Sequence, residues 1–486
     1  MATLLDCEQP LRDINLFVHM TTRSLSGWFA FACCVAMSVL LGNAAVVNPQ
    51  IAVVFLVGVG GLAALGAPTY CWILAAAISA ILFPGLVGVG VLPSVATFVS
   101  IPLAWGALAA ALSRQQSPSR LARIHLCWFG ALALAVLFAW LANFSDPLRP
   151  LLDLALLGQP FAVIGALLID PPAVPKRRVL VLATAALIGI QVPFAIWQLL
   201  HYGRGDAVQG TLYNTGAGAH VIGGLACLGA FCVFADSSPF RGLVRVVLAV
   251  SLLAIPFLSD AKQVIFALPV AIILGGWRGG KLSFAIQGTV VAVSVGVLIT
   301  QPALNYTYAI RDIQRASSGD AGKIETARFI WRQLSSDPAS LALGKGPAET
   351  VSRAAFMTTP AYQKADSPLR RLGLSPAQTA TALQSTTPQG SAEAPLSSAL
   401  GVLGDLGLAG ALAYGGLLAT LFVALRRSSS PLSSAARSSL VLFAGLGLVS
   451  DWWEEPAFTV TVGIIVALSV THLARSGGSG QQELVV

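Results

Sequence analysis

Asp260 and Lys262 stand in "FLSDAKQVIFALP" (257–269), at the join of two apolar runs, "VRVVLAVSLLAIPF" and "VIFALPVAIILGGW". A lysine in so short a turn keeps a compact positive charge near a membrane surface, where it suits phosphate oxygens. The plain alternative is a solvated turn. Arg204 occupies a neighbouring short loop, followed by "GDAVQGTLYNTGAGAHVIGG" (205–224). There Thr211 and Asn214 offer neutral groups suited to sugar hydroxyls, and the glycines permit close backbone approach. The alternative is a glycine-rich helix start built for packing. His220 and His201 read either as proton acceptors or as rings hydrogen-bonded for structure. Arg328 and Arg332 lie one helical turn apart beside Trp331, so both can address one anionic ligand.

No phosphate-cradling Gly-Lys-Ser/Thr loop and no dinucleotide glycine pattern occurs. No His, Cys and carboxylate cluster has metal spacing, so neither a metal nor a cofactor is expected. The seven cysteines read as small apolar residues rather than a disulfide framework.

These groups must be held by membrane helices. Apolar residues make up 56% of the chain and charged residues 10%, with a mean hydropathy of +0.77. A soluble globular chain carries about 25% charged residues. Apolar runs long enough to cross a bilayer recur without strand-like alternation. The expected fold is therefore all-α, a polytopic membrane protein of about 12–14 spans. The spans fall near 25–42, 50–66, 70–88, 92–113, 122–143, 151–170, 179–200, 217–235, 243–258, 261–276, 282–301, 397–425, 438–451 and 456–474. Residues 25–42 read as a first span rather than a cleavable leader.

Sixteen of the 29 Lys and Arg fall in alternate short loops or at the two ends; the other short loops hold only Arg149, Arg204 and Lys262. Cytoplasmic loops are the basic ones. That places 1–24 and the flexible tail 475–486 inside, and the long segment 302–396 outside. The pI near 9.3 then reflects basic cytoplasmic loops, not nucleic acid. The long segment carries ten basic and seven acidic residues. Its first half predicts a helix with Ile324, Ala327, Phe329, Ile330 and Leu334 on one face, ended by "SSDP". Its later part, rich in Pro, Ser, Thr and Gln, reads as irregular.

Three segments together resemble the O-antigen ligase and O-antigen polymerase superfamily of bacterial membrane glycosyltransferases. They are "GTLYNTGAGAHVIGG", "IWRQLSSDPASLALGKGPAE" and "APLSSALGVLGDLGLAGALAYGGLLATLF". Their order matches from about residue 205 to 425. The resemblance implies a polyprenyl-diphosphate glycan donor, a glycan acceptor, membrane lipids and other polysaccharide-assembly proteins as partners, and no metal or nucleotide. It puts Lys262, helped by the long segment's arginines, against the donor diphosphate at the outer face of the cytoplasmic membrane. Ligases of the family carry a histidine just after the long outer loop; "SAEAPLSSALGVLGDLG" has none. The likeness is therefore polymerase-like, and the catalytic base is open among Glu349, Glu393, Asp405 and the carboxylates of "DWWEEP" (451–456). A flippase for lipid-linked glycans and a non-catalytic component of an envelope assembly are the alternatives.

Overall fold

The computed structural model describes residues 66–82, 99–114, 118–212, 218–235, 242–275, 288–289, 291–292, 322–360, 374–386, 397–428, 430 and 432–476. The expected spans 25–42, 50–66 and 282–301 lie outside these residues, apart from residue 66 and the four isolated helical positions at 288–292. The protein is an all-α polytopic membrane protein, with no strand among the described residues. Four helical stretches, Arg120–Asn143, Leu148–Ile169, Val174–Tyr202 and Ser398–Arg427, are long and apolar enough to cross a membrane, and shorter apolar helices pack among them.

Burial separates the centre from the rim. The most apolar window of α4 (Leu148–Ile169) is 83% buried, whereas that of α3 (Arg120–Asn143) is 33% buried. Helix α4 packs against α16 (Pro456–Ser476) and against α2 (Ser100–Arg114), which in turn meets α1 (Thr69–Ile81). Further pairs complete the bundle: α7 (Gly218–Phe234), itself buried along almost its whole length, with α8 (Gly242–Leu258), α9 (Lys262–Gly275) with α15 (Ser433–Val449), and α14 (Ser398–Arg427) with α3. The rim helices leave Leu134, Phe138, Leu182, Val247 and Leu412 exposed, as lipid-facing surfaces do.

The expected span 179–200 is two helices, α5 (Val174–Gly189) and α6 (Gln191–Tyr202). Pro193 lacks an N–H and cannot continue the ladder, which accounts for the break just before it. Helix α5 also begins earlier than its apolar run, with Pro175 in the first turn, so Lys176, Arg177 and Arg178 are helical rather than in a loop.

The long polar segment folds on one end of the bundle. It contains α10 (Gly322–Ser335), α11 (Pro338–Leu343), α12 (Arg353–Met357) and α13 (Gln378–Thr386). The helix expected before "SSDP" is present, and Asp337 caps the next one by accepting from Ala339 N (3.2 Å) and Ser340 N (3.0 Å). Its inward face differs from the expected one: Thr326, Ile330 and Leu334 are buried and Ile324 is exposed. The later part, expected to be irregular, includes the helix Gln378–Thr386, whose Ala380 and Leu383 join Ile330, Leu334, Val351 and Phe356 in a small separate core.

Candidate functional site

The turn that joins α8 to α9 is tight. Asp260 adopts a left-handed backbone (φ 55°), which aspartate tolerates better than most residues. Lys262 Nζ lies 3.1 Å from Asp260 Oδ2. Arg204 donates from Nε to Phe257 O (3.0 Å), and Gly205 N donates to Leu258 O (3.0 Å), which fastens the preceding loop to this turn. Arg204 Nη2 stands 4.0 Å from Asp260 Oδ1. The structure thus brings Lys262 and Arg204 together around one carboxylate. These pairs are partly exposed, so each contributes about 0–1 kcal/mol and yields easily to a competing anion.

A cleft opens beside this turn. His220, Val221, Gln263, Arg353, Ser450, Asp451, Trp452 and Glu455 line it. Trp452 is fixed by donating from Nε1 to Gln263 Oε1 (2.8 Å). Arg353 Nη1 pairs with Glu455 and lies 3.6 Å from Asp451 Oδ2. His220 Nδ1 is buried without a hydrogen-bond partner, and the charges of Asp206, Asp260, Lys262 and Asp451 all act on it. Arg353 thus meets Asp451 and Glu455 in the cleft, while Arg204 and Lys262 gather on Asp260 at the adjoining turn, whose next residue, Gln263, lines the cleft.

Two carboxyls of the 451–456 turn hold protons unusually tightly. Burial pushes Glu454 up to about 8, against the Ala354 N–H that its Oε2 accepts (3.0 Å) and with help from the Asp451 and Asp405 charges. Burial also raises Glu455, against the attraction of Arg353. Burial opposes the Arg353 charge, yet Glu455, Asp451 and Glu454 together hold it more firmly protonated than a free arginine.

The second and third sequence segments singled out above pack directly on each other. Lys345 N donates to Gly404 O (2.8 Å) and Gly346 N to Asp405 O (3.1 Å). A Cβ at Gly344 would lie 2.3 Å from the Asp405 backbone, and one at Gly404 would lie 2.4 Å from Thr350 Oγ1. Only glycine allows this approach of an irregular chain to a helix. Asp405, fully buried, accepts four hydrogen bonds: Glu349 N (3.2 Å), Thr350 N (2.6 Å) and Thr350 Oγ1 (2.6 Å) on Oδ1, and Ser352 Oγ (2.5 Å) on Oδ2.

The other expected site residues are placed differently. Thr211 is buried, donating to Ile81 O (2.5 Å) and accepting from Gln191 Nε2 (2.8 Å), so its hydroxyl serves the interior. Asn214 and Glu393 lie outside the described residues. Arg328 and Arg332 are exposed on the side of α10 away from its buried residues, and do not line the cleft. Glu349 is ion-paired with buried Arg149 and accepts from Gln378 N (2.8 Å) and Thr379 N (3.1 Å), so it is engaged as a clasp. His201 donates or accepts at Trp197 O (2.8 Å), four residues back on its own exposed helix.

No motif in the sequence marks Arg353 or Arg149 as a site residue. Both are unremarkable among the basic residues of the chain, and their partners lie 102 and 200 positions away. Among the described residues no group of three or more His, Cys, Asp or Glu is arranged to hold a metal ion. The chain matches no protein-family model and no curated protein.

Proposed function

We propose that this chain is a bacterial membrane glycosyltransferase that polymerises or ligates envelope polysaccharide. It transfers glycan from a polyprenyl-diphosphate donor to a sugar acceptor at the outer face of the cytoplasmic membrane. The observation that carries this reading is the cleft lined by Arg353 and Gln263, with Lys262, the residue before Gln263, and Arg204 gathered on Asp260 at the adjoining turn. The diphosphate competes with Asp260 for Lys262 and Arg204 at small cost, since those pairs are weak. As the anomeric C–O bond to phosphate breaks, its electron pair leaves with the lipid diphosphate, where the cations stabilise the developing charge. The acceptor oxygen forms the new bond and gives up its proton. Of the cleft-lining groups, Asp451 and His220 are the candidates to take it, Glu455 being paired with Arg353. Asp405 and Glu349 are already occupied by their donors.

The test is glycan output. A strain lacking this protein is complemented with wild type, Lys262→Ala or Lys262→Arg, and high-molecular-weight surface glycan is measured per unit of membrane-inserted protein. The alanine variant abolishes polymer and accumulates lipid-linked oligosaccharide, while the arginine variant keeps part of the activity. Full output from Lys262→Ala would reduce this join to a solvated turn.

One observation favours a flippase instead. Asp153, fully buried in α4, has both carboxyl oxygens without a hydrogen-bond partner. Ionisable groups inside spans mark transport pathways. Purified protein in liposomes separates the readings: a flippase moves lipid-linked glycan across the bilayer without forming a glycosidic bond.

A further inference from the structure

We infer that Asp405 is a positioning residue for the cleft: its carboxylate, acting through Ser352, sets where Arg353 stands. This rests on the transferase reading and adds to it the device that aims one of its diphosphate-binding cations. Asp405 does not itself line the cleft.

Four donors converge on Asp405, three on Oδ1 and one on Oδ2. Fully buried and outside the cleft lining, it is not placed to take a proton from an acceptor hydroxyl there. It does fix a hydroxyl. Ser352 Oγ has one proton, which it gives to Asp405 Oδ2 at 2.5 Å, so its lone pairs are turned elsewhere. One of them accepts Ala355 N (3.2 Å), which caps the helix Arg353–Met357. Arg353 is the first residue of that helix and the next residue after Ser352.

The backbone has little room to shift. A Cβ at Gly401 would stand 2.8 Å from Ser352 Cα, so Ser352 lies directly against α14. Ser397 N donates to Val351 O (3.3 Å) on the same strip. At the other end Arg353 reaches the cleft through Nη1, which Glu455 and Asp451 hold, while an arginine's remaining N–H donors stay suited to phosphate oxygens. The order Asp405, Ser352, Arg353 is thus a path of direct contacts from a buried span carboxylate to the site.

Binding of undecaprenyl diphosphate, which carries no sugar, to the full-length protein in nanodiscs tests the inference. Ser352→Ala removes one hydroxyl without touching Arg353, and Asp405→Asn keeps the side-chain shape. Each is expected to weaken binding about tenfold, and Arg353→Gln by at least as much. In the Arg353→Gln background neither should weaken it further, because residues acting through one another are not additive. Multiplying losses, or wild-type affinity in Ser352→Ala, would overturn the inference while leaving the transferase reading in place. A wild-type protein that binds no undecaprenyl diphosphate would sink that reading, and this inference with it.

Discussion

Thr350 gives both of its donors to a single oxygen of Asp405: the backbone N–H and the hydroxyl each lie 2.6 Å from Oδ1. The two residues belong to the long polar segment and to a membrane span. Their contact holds the segment down on the bundle, next to the place where Gly344 crosses the span backbone.

Thr350→Val keeps the shape and removes the hydroxyl donor. A hydrogen bond to a charged group is worth about 1.5–3 kcal/mol, and the loss should appear in denaturant unfolding of the detergent-solubilised protein. Thr350→Ser should stay close to wild type. Equal stability of Thr350→Val and wild type would mean that the hydroxyl bond contributes nothing.

Glu454 predicts a pH dependence of stability. Burial raises its folded-state value to about 8, from the ordinary carboxyl value in the unfolded chain. The folded state therefore binds the extra proton, and the stability that this contributes is complete below the ordinary value. It is lost as pH rises through about 8. Unfolding temperatures measured from pH 5 to about pH 9 should fall more steeply for wild type than for Glu454→Gln, whose amide oxygen can still accept Ala354 N. Parallel curves would show that Glu454 keeps an ordinary affinity for protons.

The sidedness of the bundle gives a labelling experiment. Arg149, Arg204, Lys262 and the long segment share one end through direct contacts, such as Arg149–Glu349 and Arg204–Asp260. Ser336 is exposed at that end, and Ser113 is exposed in the last turn of α2, beside Arg114. In a cysteine-free background, Ser336→Cys should react with an impermeant thiol reagent in intact cells, and Ser113→Cys only after lysis. The reverse pattern would invert the orientation and remove the outer-face chemistry.

The membrane-helix fold was legible because hydropathy is a local property. A run such as 243–258 must bury its backbone in its own hydrogen bonds wherever it sits in lipid, and it is the helix Gly242–Leu258. The short turn at Asp260 and the cap at Asp337 are equally local, each set by residues within a few positions. Sites assembled across the chain were less legible. Lys262 and Arg204 could be suspected from their loops, but their common carboxylate comes from the contact between those loops. Thr211 reads in sequence as a ligand group, whereas the fold buries its hydroxyl between Gln191 and the Ile81 carbonyl. Asp405 reads in sequence as a candidate base, whereas the fold engages its carboxylate with donors that lie 53–56 residues earlier. A side chain's type states what bonds it can make. Which partner takes them is decided by close approach between distant segments, here at glycines whose missing Cβ atoms let backbone meet backbone.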